Sequence, residues 1–282
     1  MPHTCHPLRE LIEDALQDFL PLSRLESAAR LNDAIHYAVF PGGKRMRPLL
    51  TLLGARIAGV PLDDALPAAC AVEFLHTSSL IFDDLPSMDD AALRRGSATL
   101  HLVFGEDIAL LAALALLNQA YALFGSNTCL LAEAVACIGS NGMIGGQALD
   151  LAGKTAGPIS FNSRNRKTSS LMRLTLVAGA MAAGASPAAV GALASVGEDF
   201  GEAYQVCDDL LDQLQDARHQ RPSHAADFGP QACREHVSGL LGRARRTLHA
   251  QFGHTEEVAA LLSNVDLIVS GFAPAGMVTA CS

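Results

Sequence analysis

The sequence predicts an all-α protein, and three observations support that prediction. Half of the 282 residues are apolar but only 5% are aromatic, so Leu and Ala must build most of the core, and these residues favour helix over strand. Apolar residues recur with the helical period along most of the chain, and strand-like alternation is scarce. Gly, Pro and Asn separate the periodic stretches. No internal repeat is visible, so we expect a single domain over residues 1–282 with short loops.

The predicted helices follow one another from the first turn of the chain almost to its end. They cover residues 8–20, 23–39, 48–58, 65–82, 108–124, 130–138, 171–183, 187–212 and 231–252. The polar, irregular segment at about 217–230 predicts a mobile loop. The Gly- and Pro-containing tail at about 271–282 is expected to fray.

Charge and cysteine usage exclude several classes of protein. Asp and Glu total 29 against 20 Lys and Arg, for a net charge of −9, which is atypical of a nucleic-acid-binding protein. The first residues lack a basic region followed by an apolar one, so we expect no secretory signal. The seven scattered Cys indicate reduced thiols and a cytoplasmic protein. The apolar stretches 108–125 and 174–196 are rich in Ala, which favours core helices over membrane spans.

Two acidic clusters interrupt stretches that are otherwise apolar. The residues are Asp83, Asp84, Asp89 and Asp90 in the first cluster and Asp208, Asp209 and Asp212 in the second. In a helix Asp208 and Asp212 lie on one face, about 40° apart. Packed carboxylates repel one another unless a cation neutralises them, and all-oxygen ligands select a hard ion such as Mg²⁺. A single cluster of this kind is as readily a solvated helix face, but a second one makes that interpretation weaker.

Basic residues accompany the acidic clusters. Lys44, Arg45 and Arg47 follow a Gly-Gly turn just before a predicted helix, and Arg94 and Arg95 follow the first acidic cluster. Helix N-termini and Arg side chains are common diphosphate ligands. Fixed cations beside metal-binding carboxylates therefore predict a substrate that carries two or more negative charges.

The order and spacing of five motifs resemble the trans-isoprenyl diphosphate synthases, or polyprenyl synthetases, over residues 28–216. The motifs are GGKRMRP, EFLHTSSLIFDDLPSMDDAALRRGSATLH, GGQALDL, RKTSSL and FGEAYQVCDDLLD. The bacterial geranylgeranyl diphosphate synthases are the most similar members. The resemblance implies an isoprenoid synthase fold with helices around a deep central cavity, usually in a homodimer. It also implies head-to-tail condensation of isopentenyl diphosphate with dimethylallyl, geranyl or farnesyl diphosphate, assisted by about three Mg²⁺ ions.

The resemblance assigns a role to each matching residue. Asp83, Asp84 and Asp89 are expected to form the first metal motif, and Asp208, Asp209 and Asp212 the second. The isopentenyl diphosphate is expected to contact Lys44, Arg47, His76 and Arg95, and the allylic diphosphate to contact Arg94, Lys167, Thr168 and Gln205. The residues expected to take part in catalysis are Asp83, Asp84, Asp89, Arg94, Lys167 and Asp208.

Product length is expected to depend on the residues just before the first acidic motif, here Ser78 and Ser79. Farnesyl-producing relatives with the same spacer place a bulky aromatic residue at the position of Ser78. A serine leaves space for a further isoprene unit, so we expect geranylgeranyl diphosphate as the main product. Two alternatives stay open, namely that Ser78 only packs against a neighbouring helix and that the chain is a farnesyl diphosphate synthase.

The chain departs from the family pattern at three places. Residues 109–114 lack the usual Gly-Asp pair, Ser169 replaces a Gly, and no Lys follows Lys167 where relatives have lysines after the second motif. Arg218 or Arg221 could supply that charge, although Arg and Lys are not equivalent at such a site. These departures leave open a weakly active or non-catalytic partner subunit. A terpene cyclase is disfavoured because the second aspartate motif is intact. The preferred primer and the pathway are not encoded in a recognisable pattern.

Overall fold

The protein is described by a computed structural model that covers residues 5–40, 43–152, 166–219 and 228–270. The helices are α1 (Cys5–Asp18), α2 (Ala29–Val39), α3 (Met46–Ile57), α4 (Leu62–Asp84), α5 (Leu100–Phe104), α6 (Glu106–Phe124), α7 (Thr128–Ile138), α8 (Met143–Ala152), α9 (Arg166–Ala182), α10 (Pro187–His219), α11 (Pro230–Phe252) and α12 (Glu256–Ser270). A 3₁₀ turn (Glu26–Ala28) precedes α2, and strands β1 (Leu93–Arg94) and β2 (Ser97–Ala98) form a small hairpin. The predicted all-α fold is confirmed.

Several element boundaries differ from the predicted ones. Helix α2 begins at Ala29 rather than at 23. The Ser23 amide donates to Oδ1 of Asn32 at 2.8 Å and the Ser23 carbonyl oxygen accepts from Nδ2 of Asn32 at 2.9 Å, so the segment before α2 packs against that helix instead of extending it. Helices α5, α8 and α12 and the hairpin were not predicted. Helix α10 continues to His219 and α11 begins at Pro230, so residues 217–219 and Pro230 of the predicted loop are helical. Residues 220–227 and 271–282 lie outside the described ranges.

Helix α4 lies at the centre of the structure. It packs against α3, α6 and α9, and most of its side chains are buried. The largest core cluster draws on every helix from α1 to α12, and a smaller cluster joins α10 to α11. Because apolar residues cover nearly the whole circumference of α4, its last turn carries the first acidic motif into the interior.

Glycines allow α9 to lie very close to α3 and α10. A Cβ added to Gly54 of α3 would lie 2.5 Å from the carbonyl oxygen of Leu176, and one added to Gly201 of α10 would lie 2.5 Å from Cα of Ser169. Such distances are far below ordinary packing contacts, so any side chain there would separate the helices. The first turn of α9 consequently lies directly beside α10.

Among the described residues, three stretches are long and apolar enough to cross a membrane by length and composition alone, namely α4, α6 and Thr128–Leu151, which spans α7 and most of α8. Two-thirds of the most apolar part of α4 is buried inside the protein, but only about a third is buried in α6 and in Thr128–Leu151. The expectation that no segment spans a membrane stays a prediction. Because so little of α6 and of Thr128–Leu151 is buried, many of their apolar side chains are exposed in the described structure.

Candidate active site

The end of α4 places two carboxylates in a buried position. Asp83 and Asp84 are both buried, and burial raises the pKa of Asp83 although the nearby Lys167 ammonium opposes that shift. The chain then turns back on itself, because the Asp89 amide donates to the Asp83 carbonyl oxygen at 2.9 Å. Asp89 itself is exposed. The three residues of the predicted first motif thus lie at one end of α4.

Lys167 of α9 binds the first acidic motif directly. Its Nζ lies 2.7 Å from Oδ2 of Asp83 and 2.6 Å from Oε1 of Gln147 on α8. A Cβ on Gly146 would lie 2.3 Å from the backbone nitrogen of Lys167, so only glycine permits this approach of α8 to α9. Gln147 is a contact that sequence reasoning missed, although it lies within the matching GGQALDL motif.

The small hairpin presents the two predicted arginines. Residues Arg95 and Gly96 form its turn with φ values of 54° and 83°, the left-handed conformation that two-residue hairpins require. Arg94 precedes the turn and donates from Nε to Asp84 at 2.9 Å. The Arg95 guanidinium lies against Gly43, where an added Cβ would lie 2.9 Å from its Cζ. The hairpin therefore joins the first acidic motif to the Gly-Lys-Arg loop.

Thr168 connects the same turn of α9 to the second acidic motif. Its hydroxyl donates to Oε1 of Gln205 at 2.8 Å, and Nε2 of Gln205 donates to Oδ1 of Asp209 at 3.0 Å. Asp208 is half-buried one residue earlier on α10. Asp212 belongs to the same helix, and its side chain lies outside the described residues. Lys167 thus contacts the first acidic motif directly, and Thr168 is connected to the second through Gln205.

Arg47, in contact with His76, forms the remaining cationic part of the site. NH1 of Arg47 lies 3.2 Å from Nε2 of His76, and because a guanidinium can only donate, Nε2 accepts. Arg47 Nε is buried and has no hydrogen-bond partner among the described residues. Burial lowers the pKa of Arg47, with Glu73 and Tyr204 opposing the shift. Lys44 is exposed at the edge of the site.

His76 lies where the predicted cations converge. Burial lowers its pKa well below 6.5, and the charges that add to this shift belong to Arg47, Arg95, Arg94 and Lys167. The imidazole is therefore neutral at pH 7. The two sets of cations, which were predicted for two different substrates, therefore act on the same imidazole.

Arg45, by contrast, is turned away from this group. Its guanidinium forms ion pairs with Glu13 of α1 and Glu73 of α4, both at 2.8 Å. Neither glutamate was singled out from the sequence, because a lone Glu on an amphipathic helix has no distinctive pattern. Tyr204, which opposes the lowering of the Arg47 pKa, was also not singled out from the sequence.

The donor chemistry of the site fits Mg²⁺. No three His, Cys, Asp or Glu side chains among the described residues converge tightly enough to hold an ion by themselves. Mg²⁺ does not require such a cage, since it commonly takes one or two carboxylates together with waters and substrate phosphates. Asp83, Asp84 and the half-buried Asp208 and Asp209 offer only oxygen ligands, the type that a hard ion selects.

The two residues predicted to control product length lie on different sides of α4. The Ser78 hydroxyl is buried and donates to the Ala113 carbonyl oxygen of α6 at 2.9 Å, whereas Ser79 is half-buried and donates to the His76 carbonyl oxygen at 2.8 Å. On a helical wheel Ser79 lies about 40° from Asp83, and Ser78 about 140°. Ser79 thus shares the face of the acidic motif, and Ser78 lies at the α4–α6 contact.

Comparison with known proteins identifies the type of site. Residues 28–234 match the model of the polyprenyl synthetase family. The chain is 35% identical over 217 residues to a geranylgeranyl diphosphate synthase of Cyanophora paradoxa, with 72% of this chain and 71% of the relative covered. It is 38% identical over 218 residues to a farnesyl diphosphate synthase of Geobacillus stearothermophilus, with 72% of each covered.

Solved structures share the fold. A geranyltranstransferase from Thermotoga maritima superposes with a TM-score of 0.82 at 28% identity, over 95% of this chain and 100% of that one. The similarity therefore extends well beyond the acidic motifs.

Proposed function

This chain belongs to the polyprenyl synthetase family and is a trans-prenyltransferase, and we propose that it condenses isopentenyl diphosphate with allylic diphosphates to give mainly geranylgeranyl diphosphate. The single observation that carries the proposal is that Lys167 and Arg94 are bonded to the buried Asp83 and Asp84 carboxylates at the end of α4, the same helix that presents His76 to Arg47. A group of cations beside buried carboxylates suits two diphosphates. Farnesyl diphosphate is the alternative product, because the similar proteins include a farnesyl diphosphate synthase as well as a geranylgeranyl diphosphate synthase.

The isopentenyl diphosphate is held on the side of Lys44, Arg47, His76 and Arg95 in this proposal. The buried, unpaired Nε of Arg47 supports it, because an unsatisfied charged donor is costly unless a ligand accepts its hydrogen bond. A neutral His76 suits this role, since its accepting Nε2 keeps Arg47 oriented without adding a further buried charge.

The allylic diphosphate is held on the side of Arg94, Lys167, Thr168 and Gln205. Arg94 and Lys167 already neutralise the Asp84 and Asp83 carboxylates, so they lie within reach of any phosphate bound there. The residues proposed to hold magnesium are Asp83, Asp84, Asp89, Asp208, Asp209 and Asp212. When bound, Mg²⁺ would supply Lewis-acid stabilisation of diphosphate charge.

The chain's own residues account for the remainder of the proposed reaction. As the allylic carbon–oxygen bond breaks, its electron pair leaves with the diphosphate, and Lys167 and Arg94 stabilise the growing negative charge. The isopentenyl double bond attacks the allylic cation, and a proton passes to the released diphosphate. The buried apolar core around α4 excludes water from that cation. No protein nucleophile is required.

A turnover assay tests the proposal. The purified chain is incubated with isopentenyl diphosphate, farnesyl diphosphate and Mg²⁺, and the released prenyl alcohols are identified by chromatography. We expect geranylgeraniol. If the purified chain forms no product alone but gains activity with a second subunit, it is a partner subunit instead. If a second incubation with geranyl diphosphate stops at farnesol, the chain is a farnesyl diphosphate synthase.

The proposed enzyme is a cytoplasmic homodimer. Support for the dimer comes from α6, where Leu110, Leu111 and Leu114 are 40, 52 and 53% exposed in an apolar surface. The five cysteines whose side chains the structure describes are free thiols, as expected for a reducing compartment, although relatives include mitochondrial and chloroplastic enzymes. Sedimentation should show a dimer that Leu111→Glu dissociates. A monomer that pellets with lipid vesicles would instead assign this surface to a membrane.

A further inference from the structure

Arg45 is the most completely bonded charged side chain in the described part of the cationic loop. Nε and NH2 of Arg45 donate to the two carboxylate oxygens of Glu13 at 2.8 and 3.0 Å, which is a bidentate pair. NH1 donates to Glu73 at 2.8 Å, and NH2 also donates to the Val39 carbonyl oxygen at 2.8 Å. Four of the five N–H donors of a guanidinium are thereby used.

The backbone at Arg45 is unusual for a residue with a side chain. Its φ of 50° and ψ of 37° place it in the left-handed region immediately before α3 begins. This conformation is unfavourable for an L-residue other than glycine, so it persists only where surrounding contacts enforce it. The ion pairs of Arg45 are such contacts. A second contact comes from Arg9 of α1, whose NH2 donates to the Lys44 carbonyl oxygen at 2.5 Å.

The two glutamates differ in what they reach. Glu73 is almost fully buried on α4, three residues before His76, and its charge acts on Arg47 as well as on Arg45. Glu13 is 36% exposed and belongs to α1, which is remote in sequence from every motif of the site. Through Arg45, α1 is therefore connected to the loop between Lys44 and Arg47.

We propose that Glu13, acting through Arg45, is a positioning residue for the isopentenyl diphosphate site. Arg45 occupies the position between Lys44 and Arg47, and its anchored left-handed conformation determines how those two cations are presented. Helix α1 is then part of the isopentenyl half of the enzyme, and it has no equivalent contact with Lys167 or Arg94 among the described residues. The inference rests on the proposed function of Lys44 and Arg47.

The test compares Glu13→Gln with Asp14→Asn, its neighbour on α1. Both substitutions remove one negative charge, but Asp14 is exposed and takes no part in the ion pairs. For Glu13→Gln we expect the KM for isopentenyl diphosphate to rise at least about fivefold. The KM for the allylic substrate should stay within about twofold, and Asp14→Asn should resemble the wild type.

A purely structural role would give a different result. If Glu13→Gln lowers the melting temperature but leaves both KM values unchanged, or raises them equally, the positioning role is wrong. A wild-type chain without any product would overturn the proposed function as well, so the two failures are distinguishable. Should Glu13→Gln fail to fold, Glu13→Asp keeps the charge but shortens the side chain that reaches Arg45, and it should show a smaller rise in the KM for isopentenyl diphosphate alone.

Discussion

Nζ of Lys167 lies 2.7 Å from Oδ2 of Asp83, and this ion pair joins the first turn of α9 to the last turn of α4. The next residue, Thr168, reaches the second acidic motif through Gln205. One helical turn is thus connected to both carboxylate clusters, to the first directly and to the second through Gln205, although 84 residues separate Lys167 from Asp83 in the chain. Lys167 is therefore expected to act on the allylic side of the site.

Removing either of two lysines should affect different substrates. For Lys167→Ala we expect a loss of about 10- to 100-fold in kcat/KM for the allylic diphosphate, because a charged hydrogen bond contributes roughly 1.5–3 kcal/mol. Lys44→Ala should instead raise the KM for isopentenyl diphosphate. Steady-state kinetics with each substrate varied in turn measures both effects. Identical kinetic changes in the two variants would contradict the separate assignment of the two sides.

Glycine substitutions within α10 should have opposite effects on stability. Gly201→Ala places a methyl 2.5 Å from Cα of Ser169, so it should destabilise the protein by about 1–3 kcal/mol and lower activity by separating α9 from α10. Gly191 is exposed in the same helix with nothing within 4 Å of an added Cβ. Gly191→Ala should therefore stabilise the protein by up to about 1 kcal/mol.

Urea unfolding followed by circular dichroism measures both free energies of unfolding. A Gly201→Ala variant as stable and active as Gly191→Ala would show that the close contact between these helices is not required.

His76 should make the protein less stable as the pH falls below about 6.5. Burial and four cations lower its folded-state pKa well below 6.5, so the unfolded chain binds a proton that the folded chain does not. Stability contributed by the neutral imidazole is complete above the unfolded pKa and is lost as the pH falls from there towards the folded pKa. The slope for one proton is at most about 1.4 kcal/mol per pH unit.

Comparison with His76→Gln cancels the contributions of the other titrating groups. We expect the difference in unfolding free energy between the two proteins to shrink from pH 7.5 to pH 5. A difference that stays constant over that range would mean that the folded-state pKa of His76 is not lowered.

Product length should respond to Ser78. Ser78 is 1% exposed and bonded to α6, so Ser78→Tyr must break its hydrogen bond to Ala113 and occupy space between α4 and α6. We expect the product to shorten from geranylgeranyl to farnesyl diphosphate, as chromatography of the prenyl alcohols would show. Ser78→Ala is the control, because it removes only the hydrogen bond and should lose about 0.5–1.5 kcal/mol of stability without changing the product. An unchanged product with Ser78→Tyr would make Ser78 a packing residue.

The sequence alone predicts the helical class, the two acidic motifs and the family. These features are local, because helical periodicity and the runs around Asp83 and Asp208 are readable within a few turns of chain. The hairpin was missed because its two-residue strands are too short to alternate, and only the Arg95-Gly96 turn hints at it. The predicted single domain, the metal ligands and the roles of the site residues stay predictions.

The tertiary structure decided how the charges are distributed. The sequence gives no reason to distinguish the cations Lys44, Arg45 and Arg47 of one motif. In the structure Lys44 is exposed, Arg45 pairs with Glu13 and Glu73, and Arg47 contacts His76. A charge pairs with whatever lies within a few ångströms of it, and for these residues the partners come from α1 and α4 through helix packing. Periodicity along the chain carries no information about distances between helices, so such pairings become visible only when the helices are assembled.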